Sequence, residues 1–441
     1  MGGRRYAIVG AGARARMFAR ALAVDHADRA ELVAFADVNP VRMEAHNRWL
    51  KELGAPPAAM WTPAELADHL AAGDVDTLLV TSVDRTHDEY IVMGLTAGVD
   101  VITEKPMTTD VERCRRILAA ADGSAGRVTV TFNYRYNPLH EKVRELLAAN
   151  AIGQVGSVHF EWLLDVRHGA DYFRRWHRDK ADSGGLLVHK ATHHFDLVNW
   201  WLGARPDVVY ASGMLFFYGE NGARHGYDRG YERAHGATGA ADDPFALELA
   251  ASPELRQLYL DAERVDGYHR DRSVFAPGVT IEDDLSVLVR YDTGARMTYH
   301  LTAYAPWEGY RVAFNGSKGR LELDVVENDH VSPAGAREVK GAQLHGEAAA
   351  AESGGYSITV RPFWEPPRQV TVSGHSRQGH GGADVRMTHV LFGDGAGPHR
   401  PDALGRAATE RDGAASLMVG LAGNESMRTG APVRVSDLLE I

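Results

Sequence analysis

The tightest constraint on this chain is the stretch Gly10-Ala11-Gly12-Ala13-Arg14-Ala15, placed directly after the apolar run Tyr6-Ala7-Ile8-Val9 and directly before a helical pattern from Arg16 to Val24. A Gly-x-Gly-x-x-Ala carries weight only between a buried strand and a helix, and it stands there. Gly10 permits a turn too tight for a side chain. Gly12 lets the backbone come close to an anionic group, and Ala15 is small enough for the helix to lie against the strand. Ala13 and Arg14 open the helix, whose N–H groups and dipole favour a pyrophosphate. The next strand, Glu31 to Asp37, ends on a carboxylate. A carboxylate there accepts hydrogen bonds from ribose hydroxyls and repels a 2′-phosphate, although Arg14 and Arg42 could reach such a phosphate. Together these residues predict a dinucleotide-binding Rossmann domain over roughly residues 4 to 130, with NAD as the cofactor.

The rhythm that follows agrees. Val75 to Thr81, Asp100 to Glu104 and Val128 to Phe132 read as strands, and Pro40 to Trp49 or Leu53, Asp88 to Ala97 and Asp110 to Ala121 as helices. Such alternation means a parallel sheet with right-handed crossovers. Beyond residue 133 a helix at Leu139 to Ala149 gives way to strand patterns at Val155–Leu164, Val208–Phe217, Leu285–Tyr291, Arg296–Tyr304, Tyr310–Asn315 and Gly319–Val326. The expected fold class is α/β: a Rossmann domain over 1–132, then an α+β domain over 133–441 with an open-faced, mostly antiparallel sheet. Two insertions are expected, near 219–277, with a helical Pro253 to Arg264, and near 328–382.

A chain of 441 residues exceeds one hydrophobic core, which also argues for two domains. Its net charge of −11 opposes binding to nucleic acid or an anionic membrane, since neutralising phosphates needs clustered Lys and Arg. The single cysteine, Cys114, reads as a structural thiol. No run approaches the ~18 apolar residues of a membrane span. The first strand begins so early that no room is left for a signal peptide, and a cytoplasmic location is expected.

Further motifs appear in order. Glu104-Lys105-Pro106 follows the fourth strand, and Asn133-Tyr134-Arg135 comes after the fifth. With Gly10-Ala11-Gly12 and Asp37, this set resembles the Gfo/Idh/MocA oxidoreductases. Ser82-Val83-Asp84-Arg85-Thr86-His87 is similar to that family's Thr-Pro-x-x-x-His loop, with Val in place of Pro. Gly184-Gly185-x-x-x-His189-x-x-x-His193-x-x-Asp196 is similar to its Gly-Gly-x-x-x-Asp-x-x-x-His-x-x-Asp segment. The resemblance is good over about residues 5 to 215 and looser from Leu285 to Glu322. It implies hydride exchange between a nicotinamide and a carbinol carbon of a sugar, cyclitol or glycoside. It also implies that Ser82, His87, Glu104, Lys105 and Asn133 line the nicotinamide side, that Lys105 orients the reacting hydroxyl and joins the proton relay, and that His193 is the acid/base. A homo-oligomer built through the C-terminal sheet is expected.

The chemistry is consistent with those roles. Oxidising an alcohol by hydride loss requires removing its hydroxyl proton, which a neutral imidazole can do, while an ammonium stabilises the developing alkoxide. The departure is His189, which stands where the family has Asp. If the segment is helical, His189 and His193 share a face, as do Lys190 and His194, and Asp196 or Asp165 could serve as the missing carboxylate. Two histidines at that spacing also suit a metal, but no third ligand is evident nearby, so none is expected. Trp176 and Arg178 are sugar-binding types, and they join Tyr134, Lys190 and His194 as candidate substrate contacts. Two other functions stay open: an NAD-dependent glycoside hydrolase or lyase working by transient C3 oxidation and elimination, with His189 as an extra base, and a non-catalytic NAD sensor. Intact Lys105 and His193 argue against the last.

Overall fold

The computed structural model describes residues 3–227, 229–333, 354–374, 380–393 and 402–441. The chain forms two compact units. The first comprises Met1–Asn133, Leu249–Arg270 and Asp384–Ala414, the second Tyr134–Glu248, Asp271–Ala383 and Ala415–Ile441. Two segments from far along the chain thus pack with the N-terminal residues.

Six parallel strands make the sheet of the first unit: β1 (Arg4–Val9), β2 (Ala30–Ala36), β3 (Ala59–Trp61), β4 (Thr77–Val80), β5 (Asp100–Thr103) and β6 (Val128–Val130), in the order β3-β2-β1-β4-β5-β6. Ile8 pairs with Phe35 on one side and Leu79 on the other, and all three are fully buried, as strands covered on both faces require. The order reverses between β1 and β4, so a crevice opens past the carboxyl ends of these two strands. The helices are α1 (Ala15–Arg20, continued by a π turn to Asp25), α2 (Pro40–Glu52), α3 (Pro63–Ala72), α4 (His87–Thr96) and α5 (Val111–Asp122). Asn39 caps α2 by accepting from the Val41 N–H. β3 and α3 were not among the expected elements. β3 is only three residues long, but α3 has a readable start in Thr62-Pro63-Ala64-Glu65, where Thr62 and Glu65 form a capping box. Cys114 is buried in α5, and burial pushes its thiol up to about 12, as a structural thiol should be.

The second unit is built on nine strands. These are β7 (Val155–Asp165), β8 (Pro206–Met214), β9 (Asp284–Tyr291), β10 (Arg296–Ala305), β11 (Glu308–Gly316), β12 (Gly319–Asn328), β13 (Tyr356–Pro362), β14 (Arg368–Gln369) and β15 (Val433–Arg434), ordered β14-β13-β12-β11-β7-β10-β9-β8-β15. Among the described strands only the β7–β10 pair is parallel; the rest are antiparallel. Burial alternates along β9 and β10, so one face carries Leu285, Val287, Val289, Met297, Tyr299 and Leu301 into the core and the other is open. Its helices include α6 (Pro138–Ala148), α7 (Val166–Arg174), α8 (Lys180–Ser183), α9 (Leu186–His189) and α10 (Thr192–Leu202), together with most of the 20-residue helix Glu410–Thr429 and the short helix Val435–Leu438. Helix α10 lies on the buried face, with Phe195 edge-on to Tyr299 and Trp201 edge-on to Phe314.

The region read as a first insertion divides: Leu249–Arg270 joins the first unit and contains helical Pro253–Leu255, a π turn Arg256–Leu260 and helical Glu263–Asp266. Part of the second, 334–353 and 375–379, lies outside the described residues, while β13 and β14 within it extend the sheet beside β12.

Candidate functional site

In the first unit, Gly10 follows β1 with φ +92°, a conformation that suits glycine, and a Cβ there would lie 2.4 Å from the Ser82 backbone nitrogen. The Thr81 hydroxyl donates to the Gly10 carbonyl at 2.7 Å, locking the ends of β1 and β4 together. At Gly12 the reverse holds: a Cβ would meet nothing within 4 Å. The turn is therefore packed on one side and open on the other, where a ligand backbone can approach.

Asp37 stands at the end of β2. Its carboxylate accepts the Ala11 N–H at 2.6 Å and the Asn39 N–H at 2.8 Å, and the Arg42 guanidinium lies 3.9 Å away. Burial raises its pKa, against the pull of the two N–H groups and Arg42. Arg42 itself is nearly buried, and its Nη2 has no hydrogen-bond partner in the structure. An open glycine turn, a held carboxylate and an orphaned guanidinium nitrogen fit the adenosine and pyrophosphate half of a dinucleotide. Beneath the turn, the His46 Nε2 lies 3.0 Å from the Ala11 carbonyl oxygen and the ring stacks on Phe35; burial and the nearby Arg16 lower its pKa to about 4.

Residues 249–270 cover this turn. Ala13 N–H donates to the Tyr259 hydroxyl at 3.2 Å, Arg42 Nε donates to the Leu258 carbonyl at 3.1 Å, and Asp266 pairs with Arg42 Nη1 at 2.8 Å. None of these partners was legible in the motif.

The residues read as lining the nicotinamide side cluster past β4 and β5. Glu104 is buried; it accepts from Arg14 Nε at 2.6 Å and from the Lys105 N–H at 3.2 Å. Arg14 also pairs with Asp384 at 3.2 Å, and Asp384 accepts from Asn133 Nδ2 at 2.8 Å. Burial pulls the Arg14 pKa down, but Asp384 and Glu104 outweigh it and the net shift is upward, so the guanidinium stays charged. The Ser82 hydroxyl is 2.8 Å from that of Thr86. His87 is buried, with Nδ1 2.8 Å from the Pro106 carbonyl oxygen and Nε2 3.1 Å from that of Ser82. Burial lowers its pKa, so the ring is neutral and donates to one carbonyl at a time. His87 braces the Ser82 loop against the Lys105-Pro106 loop and so fixes the backbone that carries the half-buried Lys105.

In the second unit, Lys190 Nζ donates to the Tyr134 hydroxyl at 3.1 Å and sits 4.9 Å over the Trp162 ring. His193 stacks on Tyr134 with ring centres 4.4 Å apart. His194 stacks on Trp162 at 4.1 Å, and its Nδ1 is 2.7 Å from the Tyr299 hydroxyl. Tyr134, Lys190, His193 and His194 are thus one buried group on an aromatic floor, and burial holds the Tyr134 phenol well above its ordinary pKa.

His189 stands elsewhere. The segment is not one helix: α9 ends at His189 and α10 begins at Thr192, so the shared-face condition fails. His189 packs on Tyr172, Trp176 and His177, the last at 4.0 Å. The two carboxylates considered for the missing Asp are engaged by other groups. Asp196 takes both Nε and Nη2 of Arg135, and Asp165 caps α7. Arg178 also departs from its expected role, because its buried guanidinium donates to the carbonyls of Ser273, Ala276 and Pro277 and so holds that loop. Trp176 is half-buried and stacks on His177 at 3.6 Å. A further pair, of which His168 was not singled out from the sequence, lies on β11 and α7: His168 Nδ1 is 2.7 Å from fully buried Glu308, and Nε2 is 3.1 Å from the Tyr172 hydroxyl. Among the described residues no three His, Cys, Asp or Glu side chains are placed to hold a metal ion, and no helix is long and apolar enough to cross a membrane.

The chain matches the family described as "Oxidoreductase family, NAD-binding Rossmann fold" over residues 4–132, and "Oxidoreductase family, C-terminal alpha/beta domain" over residues 144–435. It is 33% identical to YteT of Bacillus subtilis (strain 168) over 96% of each chain. Inositol 2-dehydrogenase of Rhizobium meliloti (strain 1021) is 27% identical over 60% of this chain and 80% of that protein. Among solved structures, the WlbA dehydrogenase of Bordetella pertussis, in complex with NADH and UDP-GlcNAcA, superposes with a TM-score of 0.62 at 20% identity, covering 98% of this chain and 97% of that one. That likeness shows the fold. Matched in both halves by the same family and along nearly its whole length by a relative, the chain belongs to the Gfo/Idh/MocA oxidoreductases.

Proposed function

We propose that this enzyme moves a hydride between NAD and a carbinol carbon of a sugar, cyclitol or glycoside. The observation that carries the reading is the buried Lys190–Tyr134–His193 group, in which the Lys190 ammonium lies over the Trp162 ring and the Tyr134 phenol stacks on both Trp162 and the His193 imidazole. Polyols are bound by such combinations of donors and aromatic faces. The names of the inositol dehydrogenase and the WlbA complex support the substrate class. Asp37, which ends β2 and is held by two N–H groups, supports NAD over NADP.

A bound nicotinamide supplies or accepts the hydride. Gly10, Gly12, Ala13, Arg14 and Asp37 hold the adenosine and pyrophosphate half, and Ser82, His87, Glu104 and Asn133 shape the surroundings of the nicotinamide. Lys105 orients the reacting hydroxyl and stabilises its alkoxide. His193 takes the hydroxyl proton. Lys190, Tyr134 and His194 bind the remaining hydroxyls, and the open sheet face carries assembly into a homo-oligomer in the cytoplasm. The test is the pH profile. In the oxidative direction kcat/KM rises as an imidazole loses its proton, and His193→Ala abolishes that limb while His189→Ala keeps it. An unchanged limb in His193→Ala removes the acid/base assignment.

The His168–Glu308 pair beside Tyr172 favours a second reading, redox-neutral cleavage of a glycoside. Elimination after transient C3 oxidation needs an additional base, and an imidazole braced by a carboxylate is one. Release of an aglycone without net NADH distinguishes it.

A further inference from the structure

We propose that Asp266 is a second determinant of nucleotide choice, acting by pairing with Arg42, a cation at the ribose end of the site; this rests on the NAD reading above. Asp266 does not belong to the β1–α1–β2 motif. It comes from the segment Leu249–Arg270, which packs with the first unit. Its Oδ2 takes Arg42 Nη1 at 2.8 Å and Asn39 Nδ2 at 3.0 Å, and its Oδ1 takes the Tyr268 N–H at 3.1 Å. Asn39 is fixed in turn, since its Oδ1 caps α2 and its Nδ2 also donates to the Ala262 carbonyl. The carboxylate is therefore held on three sides.

Arg42 is the group such a site would use for a 2′-phosphate, as its guanidinium is 3.9 Å from Asp37. In this chain Nε is bound to the Leu258 carbonyl and Nη1 to Asp266, and only Nη2 lacks a partner. Two carboxylates face one guanidinium in a largely buried setting. To turn onto a phosphate, Arg42 would have to give up its ion pair with Asp266 and leave that carboxylate unpaired beside a new anion. NADP is then opposed twice, by repulsion and by loss of the cation. Asp37→Ala alone removes only part of the first effect and leaves Arg42 paired.

The experiment titrates NAD and NADP separately into the purified full chain, following tryptophan fluorescence, for wild type, Asp37→Ala, Asp266→Asn, Asp266→Ala and Asp266→Asn/Arg42→Ala. Each variant is judged by the ratio of its two affinities, so a partly inactive preparation cancels. Asp266→Asn, which keeps the shape of the side chain, is expected to raise relative NADP affinity at least about tenfold, more than Asp37→Ala does, and adding Arg42→Ala is expected to erase the gain. The proposal is overturned if both Asp266 variants keep the ratio within about threefold of wild type, or if the gain survives loss of Arg42. A wild type that binds both nucleotides equally overturns the NAD reading itself, and is recognised before any variant is compared.

Discussion

At the scale of single residues the dinucleotide turn rests on a histidine that cannot easily carry a charge. His46 is buried under Ala11 with a pKa of about 4, while an unfolded histidine titrates near 6.5. Between those values the unfolded chain binds the proton and the folded chain does not. Stability contributed by the neutral ring is therefore complete above about pH 6.5 and declines as pH falls toward 4, by a few kcal/mol in order of magnitude. Thermal melts across that window should fall less steeply for His46→Gln, which keeps a donor for the Ala11 carbonyl; an identical slope would remove His46 as the cause. Lys105→Ala should lower turnover by about 10²-fold or more with NAD binding little changed. Near-normal turnover would make Lys105 structural. Gly10, Gly12 and Asp37 were readable because their meaning is local to one strand–turn–helix. Asp384, Tyr259 and Asp266 were not, because they reach the same unit from segments hundreds of residues later, and no spacing encodes that. Arg178 was misjudged for the same reason: the carbonyls that occupy it belong to the distant 273–277 loop.

Among elements, the long strands of both sheets were legible to within a few residues, because uninterrupted apolar runs and strict alternation each have one economical reading, whereas β3, β13, β14 and β15 were missed. The break between α9 and α10 was not. Nothing between His189 and Thr192 is a helix breaker, and the interruption follows from tertiary packing, which sends His189 toward Tyr172 and His177 and His193 toward Tyr134. The turn between β1 and α1 offers a sharp test of how tightly the first sheet is closed. Gly10→Ala places a methyl 2.4 Å from a backbone nitrogen at positive φ, so it should destabilise the chain by about 2 kcal/mol or more, read as a lower midpoint in urea. A midpoint equal to wild type would mean that the strand ends can separate without cost.

For the whole molecule, chain length and the change of rhythm near residue 133 suggested two contiguous domains, but nothing in the sequence marked 249–270 and 384–414 as part of the first unit. The open face of the nine-stranded sheet exposes Tyr210 and Leu288, each more than 40% accessible, in a groove also lined by His159, Glu161 and Arg311. If this face joins copies of the chain, Leu288→Arg should shift the mass measured by light scattering toward the monomer while leaving nucleotide binding in place; an unchanged mass would exclude the face. The central claim, that the first unit is a working NAD site, is tested most directly by isothermal titration of NAD into wild type and Gly12→Val. A Cβ at position 12 meets no protein atom within 4 Å, so the substitution should change the melting temperature little and act chiefly on the ligand. The account predicts one saturable site per chain in wild type, with affinity lower by at least about tenfold in Gly12→Val. Equal affinity in the two proteins, or no saturable binding in wild type, would contradict it.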